Sequence, residues 1–123
     1  MIKLVFVIRR REGLSEEEFH RYWIEEHGPL AKRLLEELGA TRYVQTHTIR
    51  PDLNDALAAT RSTGPPYDGL AEITWESLEK LVAASTSEEG LRVNAVLAED
   101  EAEFIDFERS SLFLTEEHVF IDG

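Results

Sequence analysis

The sequence predicts an α+β fold in which helices cover one face of an antiparallel sheet. Two observations predict it. Strand-like and helical patterns follow one another in the order β-α-β-β-α-β, and the two helical regions begin at serines suited to capping a first turn. That order defines the ferredoxin-like arrangement. The 123 residues, 42% of them hydrophobic, suffice for one core, so we expect a single domain spanning residues 1–123.

The first strand predicts a homodimer. Residues 2–8 form an apolar, β-branched run interrupted only by Lys3, which is typical of a strand buried on both faces. In the ferredoxin-like arrangement the helices cover only one face of the sheet, yet Val5 and Val7 place apolar side chains on the other. Because such a face favours a partner, we expect a two-fold homodimer that packs the two sheets face to face.

The first helix is predicted from its cap. Ser15 and Glu18 form a capping box, and the helix is expected to run to Leu38. Pro29 has no amide hydrogen to donate, so it should interrupt this helix. We therefore expect a kink or a short break at residues 27–29, with the helix resuming behind it.

The remaining elements follow from periodicity and turn residues. In order, they are strands at residues 41–49 and 68–75, helices at 77–84 and about 87–103, a closing strand at 107–114 and a short tail strand at 119–121. A long connection spans residues 50–66, in which 52–59 favours one or two helical turns. A connection of this length is either a binding loop or a surface insertion.

Composition excludes several classes of partner. The chain has 25 acidic and 13 basic residues and a net charge of −12, which disfavours nucleic acid and anionic membrane surfaces. It has no cysteine, so disulfides and thiolate chemistry are absent. The apolar run near the N-terminus is too short for a signal peptide or a membrane span, and we expect a cytoplasmic protein.

Two histidines lie on the apolar side of the first predicted helix. At about 100° per residue, His20, Trp23 and His27 fall within roughly 60° of one another. Strand alternation places Tyr43, Gln45 and His47 together on one face of the second strand. If this face looks toward the helix, the two groups confront each other across a cleft. The histidines either line a pocket there or are satisfied structural residues.

Three segments carry a resemblance to a known family. Residues 19–23 (FHRYW) followed by 27–30 (HGPL), then 43–47 (YVQTH) and 67–72 (YDGLAE), resemble the signature segments of EthD-domain proteins in order and spacing. The resemblance covers close to the whole chain. It implies a dimeric α+β barrel with a ligand cleft between the sheet and the helices of each subunit. Members include polyketide-tailoring enzymes, and related barrels include monooxygenases, isomerases and haem-degrading enzymes. A shared fold does not carry a shared reaction.

The leading hypothesis is a cofactor-independent enzyme acting on a small hydrophobic molecule, aromatic or polyketide-like. The reaction would be driven by proton transfer: dehydration, decarboxylation, isomerisation or oxygenation. We expect His47 to be the general base and His27 the acid or an orienting group. The residues expected to contact substrate are His20, Trp23, Tyr43, Gln45 and Trp75.

Two alternatives stay open. One is a non-catalytic small-molecule binder that serves a neighbouring oxygenase. The other is a haem-handling monooxygenase in which His27 or His47 ligates iron, because related barrels bind haem in this cleft. A metal site made by the protein alone is not expected, since the helix lacks the HxxxH spacing of zinc ligands.

Overall fold

The chain forms a four-stranded antiparallel sheet with helices against one face, in a computed structural model that describes residues 1–123. The elements are β1 Ile2–Ile8, α1 Glu16–Tyr22, a π turn Trp23–His27, α2 Gly28–Leu38, β2 Arg42–His47, α3 Leu53–Ala59, β3 Gly69–Trp75, α4 Leu78–Thr86, α5 Glu88–Glu101, a 3-10 turn Phe107–Arg109 and β4 Ser111–Glu116. None of these helices combines the length and the hydropathy that a membrane-spanning helix requires.

The sheet has the strand order β2-β3-β1-β4. The central strand β1 pairs with β3 and β4, and β2 pairs with β3, all antiparallel. This topology confirms the predicted ferredoxin-like α+β arrangement. In the register, Phe6 of β1 lies between Ala71 of β3 and Leu112 of β4, so these three side chains share the helix-covered face.

The first helix continues without a break through residues 27–29, so the expected short break does not occur; a π turn at Trp23–His27 interrupts the regular α-helical hydrogen bonding instead. Ser15 and Glu18 do form the predicted capping box. The helix then widens into the π turn, in which the Gly28 amide donates to the Trp23 carbonyl five residues earlier. Pro29 consequently sits in the first turn of α2, where a missing amide hydrogen costs little.

The C-terminal segment differs from its prediction in two ways. Residues 107–109 form a 3-10 turn because the Ser110 hydroxyl donates to the Asp106 carbonyl and accepts from the Arg9 amide. The closing strand therefore begins at Ser111. The predicted tail strand at 119–121 does not form. Strand β4 is the edge of the sheet, no further strand of this chain pairs with it, and Phe120 is 94% exposed.

The helix-covered side holds two apolar clusters. One packs α2, α4 and α5 against the Trp75 end of β3, and includes Leu35 and Leu97. The other lies under α1 and the π turn, where Phe19 and Phe104 meet. Between them the helices leave an unfilled space over the centre of the sheet. The helices also leave β4 uncovered on this side.

The opposite face of the sheet is covered by no element of the chain. It carries Val5 and Val7 of β1, Leu70 of β3 and Phe113 of β4. Lys3, also on this face, donates to Glu72 at 2.9 Å. The face is therefore an apolar surface with a polar pair at one end. The connection at 50–66 contains α3, in agreement with the predicted helical turns at 52–59.

Candidate active site

The space between sheet and helices is a cavity of about 580 Å³. Of its 23 lining residues 19 are hydrophobic, so its walls suit an apolar ligand. Leu112 and Leu114 line it and remain 57% and 48% exposed, which places its opening on the uncovered β4 side. The volume lies in the range that accommodates small organic molecules.

One wall of this cavity carries a histidine between two carboxyl groups. His27, at the end of the π turn, places its Nδ1 2.7 Å from Asp100 Oδ2 and its Nε2 3.7 Å from Glu101 Oε2. The Tyr22 hydroxyl donates to the other Asp100 oxygen at 2.6 Å. Asp100 thus accepts two hydrogen bonds, which fix the imidazole with Nδ1–H toward Asp100 and Nε2 toward Glu101.

Burial determines the protonation states of His27 and Glu101. The His27 side chain is 6% exposed, and burial lowers its pKa while the bond to Asp100 opposes that shift. Burial, and then the negative charge of Asp100, raise the pKa of Glu101 to about 7. Near neutral pH the arrangement therefore favours an unprotonated His27 Nε2 beside a Glu101 carboxyl that keeps its proton to a higher pH than an exposed glutamate does. It is an acid and a base facing each other in an apolar cavity.

The residues expected at the site divide into two groups. Those that line the cavity are His27, Trp23, Tyr43 and Trp75. His20, Gln45 and His47 do not line it. The indole of Trp23 separates the groups, because its ring centroid lies 4.1 Å from that of His47 and its other side borders the cavity. The helix and strand residues do face each other as expected, but only part of the set reaches the ligand space.

The second group forms a hydrogen-bonded chain that ends on Tyr43. Gln45 Nε2 donates to the Trp23 carbonyl at 2.9 Å and to the Tyr43 hydroxyl at 2.8 Å. Its Oε1 therefore accepts from His47 Nε2 at 2.7 Å. Burial lowers the pKa of His47 to about 4, with His20 adding to the shift, so His47 is neutral and its Nδ1 accepts from His20 Nδ1 at 2.6 Å.

This chain has two consequences. Both His47 nitrogens are occupied, so neither is available to a substrate or to iron. The Tyr43 hydroxyl accepts from Gln45 while no group of the protein accepts its own hydrogen, which leaves that hydrogen free to be donated. Burial also raises the pKa of Tyr43, so the phenol keeps its proton.

Two glycines make this packing possible. A Cβ on Gly69 would lie 2.6 Å from the Trp23 ring and 2.6 Å from the Thr46 carbonyl oxygen. A Cβ on Gly28 would lie 3.1 Å from Gln45 Nε2. The first contact is too short for any side chain, and the second would push Gln45 from its place. Glycine at both positions lets Trp23 and Gln45 approach the backbone.

Sequence reasoning missed Asp100, Glu101 and Tyr22. A signal for Glu101 exists in the helical stripe of α5, where Val93 and Leu97 are buried and the next residue at the same spacing is Glu101. A carboxyl group on the buried face of a helix is unusual and marks a functional position. No group of three His, Cys, Asp or Glu side chains converges in the geometry of a metal site.

Fold and site together define a class: ferredoxin-like α+β proteins with an apolar ligand cavity between sheet and helices. The particular family follows from comparison with known proteins, since a model of the EthD domain matches residues 11–108. The chain belongs to the EthD domain family, as its signature segments indicate.

Two curated relatives are fungal. The conidial pigment biosynthesis dehydratase EthD of Metarhizium robertsii is 27% identical over 115 residues, which cover 91% of this chain and 79% of that protein. The dehydratase aurZ of Gibberella zeae is 24% identical over 115 residues, covering 91% and 74%.

Solved structures share the fold. An EthD-family protein of Bacillus halodurans superposes with a TM-score of 0.66 at 18% identity, covering 96% of this chain and 99% of that one. An EthD-like protein of Ralstonia eutropha gives 0.63 at 18%, covering 98% and 94%.

Proposed function

We propose that this protein is a cofactor-independent dehydratase that removes water from a β-hydroxy ketone on an aromatic or polyketide-like molecule. The observation that carries the proposal is the His27–Glu101 pair, an unprotonated imidazole nitrogen and a carboxyl of pKa about 7, 3.7 Å apart in an apolar cavity. The dehydratase names of the two fungal relatives agree with this reaction class.

The proposed reaction uses three side chains. His27 Nε2 removes a proton from the carbon beside the ketone, and the Tyr43 hydroxyl donates a hydrogen bond to the ketone oxygen on which negative charge develops. The Glu101 carboxyl then gives its proton to the β-hydroxyl, whose C–O bond breaks to release water and form the C=C bond. Afterwards His27 carries the extra proton and Glu101 is ionised. Transfer of that proton from His27 to Glu101 restores the starting state.

This proposal reassigns the expected general base. His47 has no free nitrogen, and its pKa of about 4 makes it a weak base. We assign it a positioning role: through Gln45 it fixes the orientation of the Tyr43 hydroxyl. His20 extends that chain, and Trp23 and Trp75 supply the cavity walls.

The test measures loss of water from a β-hydroxytetralone, which becomes a naphthol that is followed by its absorbance. We expect His27→Ala and Glu101→Gln to lower kcat by at least about a hundredfold, the typical contribution of one acid or base. His118→Ala, a change in an exposed histidine on the tail, is the matched control and should leave turnover unchanged. Full turnover in both site variants would refute the proposal. Binding without turnover in the wild type would favour the non-catalytic binder.

We also propose that two copies pack through the uncovered sheet face. The chain has a solvent-accessible surface of 8260 Å², whereas a typical folded monomer of 14.1 kDa has roughly 6,700 Å². The excess is what we expect if a second copy covers part of this surface. Val5, at the centre of that face, lies opposite Phe113 of β4. Sedimentation should give a dimer for the wild type and a monomer for Val5→Glu. Val82→Glu, on an exposed helix position, is the control and should remain a dimer. An unchanged Val5→Glu dimer would contradict the assignment.

A further inference from the structure

We propose that the tail of one copy, residues 117–123, binds in a groove beside strand β2 of a second copy and places its Phe120 against the outer wall of the partner's ligand cavity. The placement rests on the sheet-face dimer proposed above, to which it adds a second contact. The groove and the tail each lack a partner within one chain, and their positions, shapes and charges match.

The groove lies between the first helical region and the free edge of the sheet, and its volume is about 550 Å³. Ile24, Pro29 and Leu35 form its helical side, and Tyr43 and Gln45 of β2 form the other side. Strand β2 is an edge strand, so one row of its backbone groups has no partner strand. An extended segment beside such an edge gains backbone pairing and a pocket for alternate side chains.

The tail is an apolar segment without a contact of its own. Val119, Phe120 and Ile121 are 61%, 94% and 91% exposed. Their β-branched and aromatic side chains are typical of a strand, yet they pair with none. The β2 strand of the same chain is out of reach, because three strand spacings, about 14 Å, separate it from β4, whereas Glu116 to Val119 spans about 10 Å. The segment that fills the groove must therefore come from another copy.

A two-fold axis parallel to the strands brings the two features together. Such an axis, placed between two facing sheets, reverses the strand order, so that the partner's β4 lies over β2. Strand β2 begins where β4 ends, because Arg42 and Thr115 both lie level with Lys3 in the register. The partner's tail thus leaves its sheet beside the groove. Facing sheets lie about 10 Å apart, a distance that residues 117–119 span.

The charges of the groove and the tail are complementary. The charged residues of the groove are two basic, Lys32 and Arg42, and one acidic, Glu36, in a chain whose net charge is −12. The tail carries Glu117 and Asp122 and no lysine or arginine. A basic groove on an acidic protein favours an acidic segment and gives the contact its specificity.

The groove shares a wall with the ligand cavity. Leu35 and Tyr43 line both spaces. A phenyl ring in the groove packs behind these two side chains and excludes water from the side that faces away from the ligand. The second copy thereby contributes the partner's Phe120 to the site, and the wall of the cavity is incomplete in a monomer.

The experiment uses disulfide trapping, because the chain has no cysteine of its own. Full-length Phe120→Cys and full-length Ile24→Cys are mixed, allowed to exchange subunits and oxidised mildly, and the mixed disulfide is identified by its mass. We expect it to form, and it can join only two different copies because each protein carries one cysteine. Val82→Cys, on an exposed position of α4 outside the groove, is the control and should not couple to Phe120→Cys. No mixed disulfide, or an equal yield with Val82→Cys, would overturn the proposal.

A second measurement needs no cysteine. Phe120→Asp removes the apolar ring and adds a charge, so sedimentation should show a dimer dissociation constant at least about tenfold higher than that of the wild type. Leu57→Asp, on an exposed position of α3, is the matched control and should leave the dissociation constant unchanged. A dimer of Phe120→Asp as tight as the wild-type dimer would contradict the tail contact.

The outcome is separable from those of the earlier proposals. A wild-type dimer that Val5→Glu dissociates, together with no mixed disulfide, would remove the tail contact and leave the sheet-face dimer standing. A mixed disulfide together with a Val5→Glu protein that remains a dimer would do the reverse. Turnover of the β-hydroxytetralone is measured independently and decides the dehydratase assignment alone.

Discussion

Replacing Glu101 with glutamine should change how the stability of the fold depends on pH. The fold raises the pKa of Glu101 from 4.5 to about 7, because the carboxyl is buried and Asp100 is charged. A group whose folded pKa is raised stabilises the fold below its unfolded pKa, and that contribution is lost as pH rises through the folded value. The wild type should therefore lose stability between about pH 4.5 and 7. Glu101→Gln should not show this loss, because it has no carboxyl group to ionise.

The magnitude follows from the shift. About 2.5 pKa units at 1.36 kcal/mol each correspond to about 3 kcal/mol. The side chain is 20% exposed, and water screens part of its charge, so we expect about 1–3 kcal/mol. The pKa values of His20, His27 and His47 are lowered, so these histidines add stability as pH rises. They are present in both proteins, and the difference between the proteins isolates Glu101.

The assay is urea unfolding of both proteins at pH 5 and pH 8, at one protein concentration because a dimer would make stability concentration-dependent. The free energy of unfolding of Glu101→Gln, relative to the wild type, should increase by about 1–3 kcal/mol from the lower to the higher pH. If the free energies of unfolding of the two proteins change equally with pH, the burial of Glu101 and its charge coupling to Asp100 are refuted. The role of Glu101 as the acid depends on both.

Further predictions concern packing and pH. Gly69→Ala should lower the free energy of unfolding by about 2 kcal/mol or more, because its Cβ would lie 2.6 Å from both Trp23 and the Thr46 carbonyl; Gly64→Ala, which meets nothing within 4 Å, is the control, and equal melting curves would contradict the packing. Turnover should rise as His27 loses its proton below its ordinary pKa of 6.5 and fall as Glu101 ionises near 7. Asp100→Asn should move the fall in turnover to lower pH. If the fall stays at the same pH, the repulsion between the carboxylates of Asp100 and Glu101 is excluded.

The fold could be predicted because its signals are local. The apolar run of β1 and the capping box at Ser15 each specify their element within a few residues, and the order of elements then fixes the topology. The π turn was not predictable from Pro29 alone. Its Trp23 carbonyl also accepts a hydrogen bond from Gln45, which comes from a distant strand and approaches Gly28. The tail at 119–121 has a strand-like composition and no strand to pair with.

The candidate site was predictable only in part, because some of its contacts come from distant parts of the chain. His27 stood out on an apolar stripe, and Tyr43 and Trp75 on strands that face the helices. The partners of His27 lie 73 and 74 positions later in the chain, on a helix whose place over the cavity is set by tertiary packing. His47 has the right residue type on the right face, yet the Trp23 ring separates it from the cavity. Sequence alternation gives the face of a strand and does not give such screening.

The central claim, that His27 removes the proton beside a ketone, is tested most directly by hydrogen exchange in heavy water. The probe is 1-tetralone, which has the acidic C–H bonds but no hydroxyl to eliminate, and proton NMR follows the loss of their signal. The wild type and Glu101→Gln should both accelerate exchange, whereas His27→Ala should return it to the uncatalysed rate. Exchange that continues unchanged in His27→Ala, or that is absent from the wild type, would contradict the account.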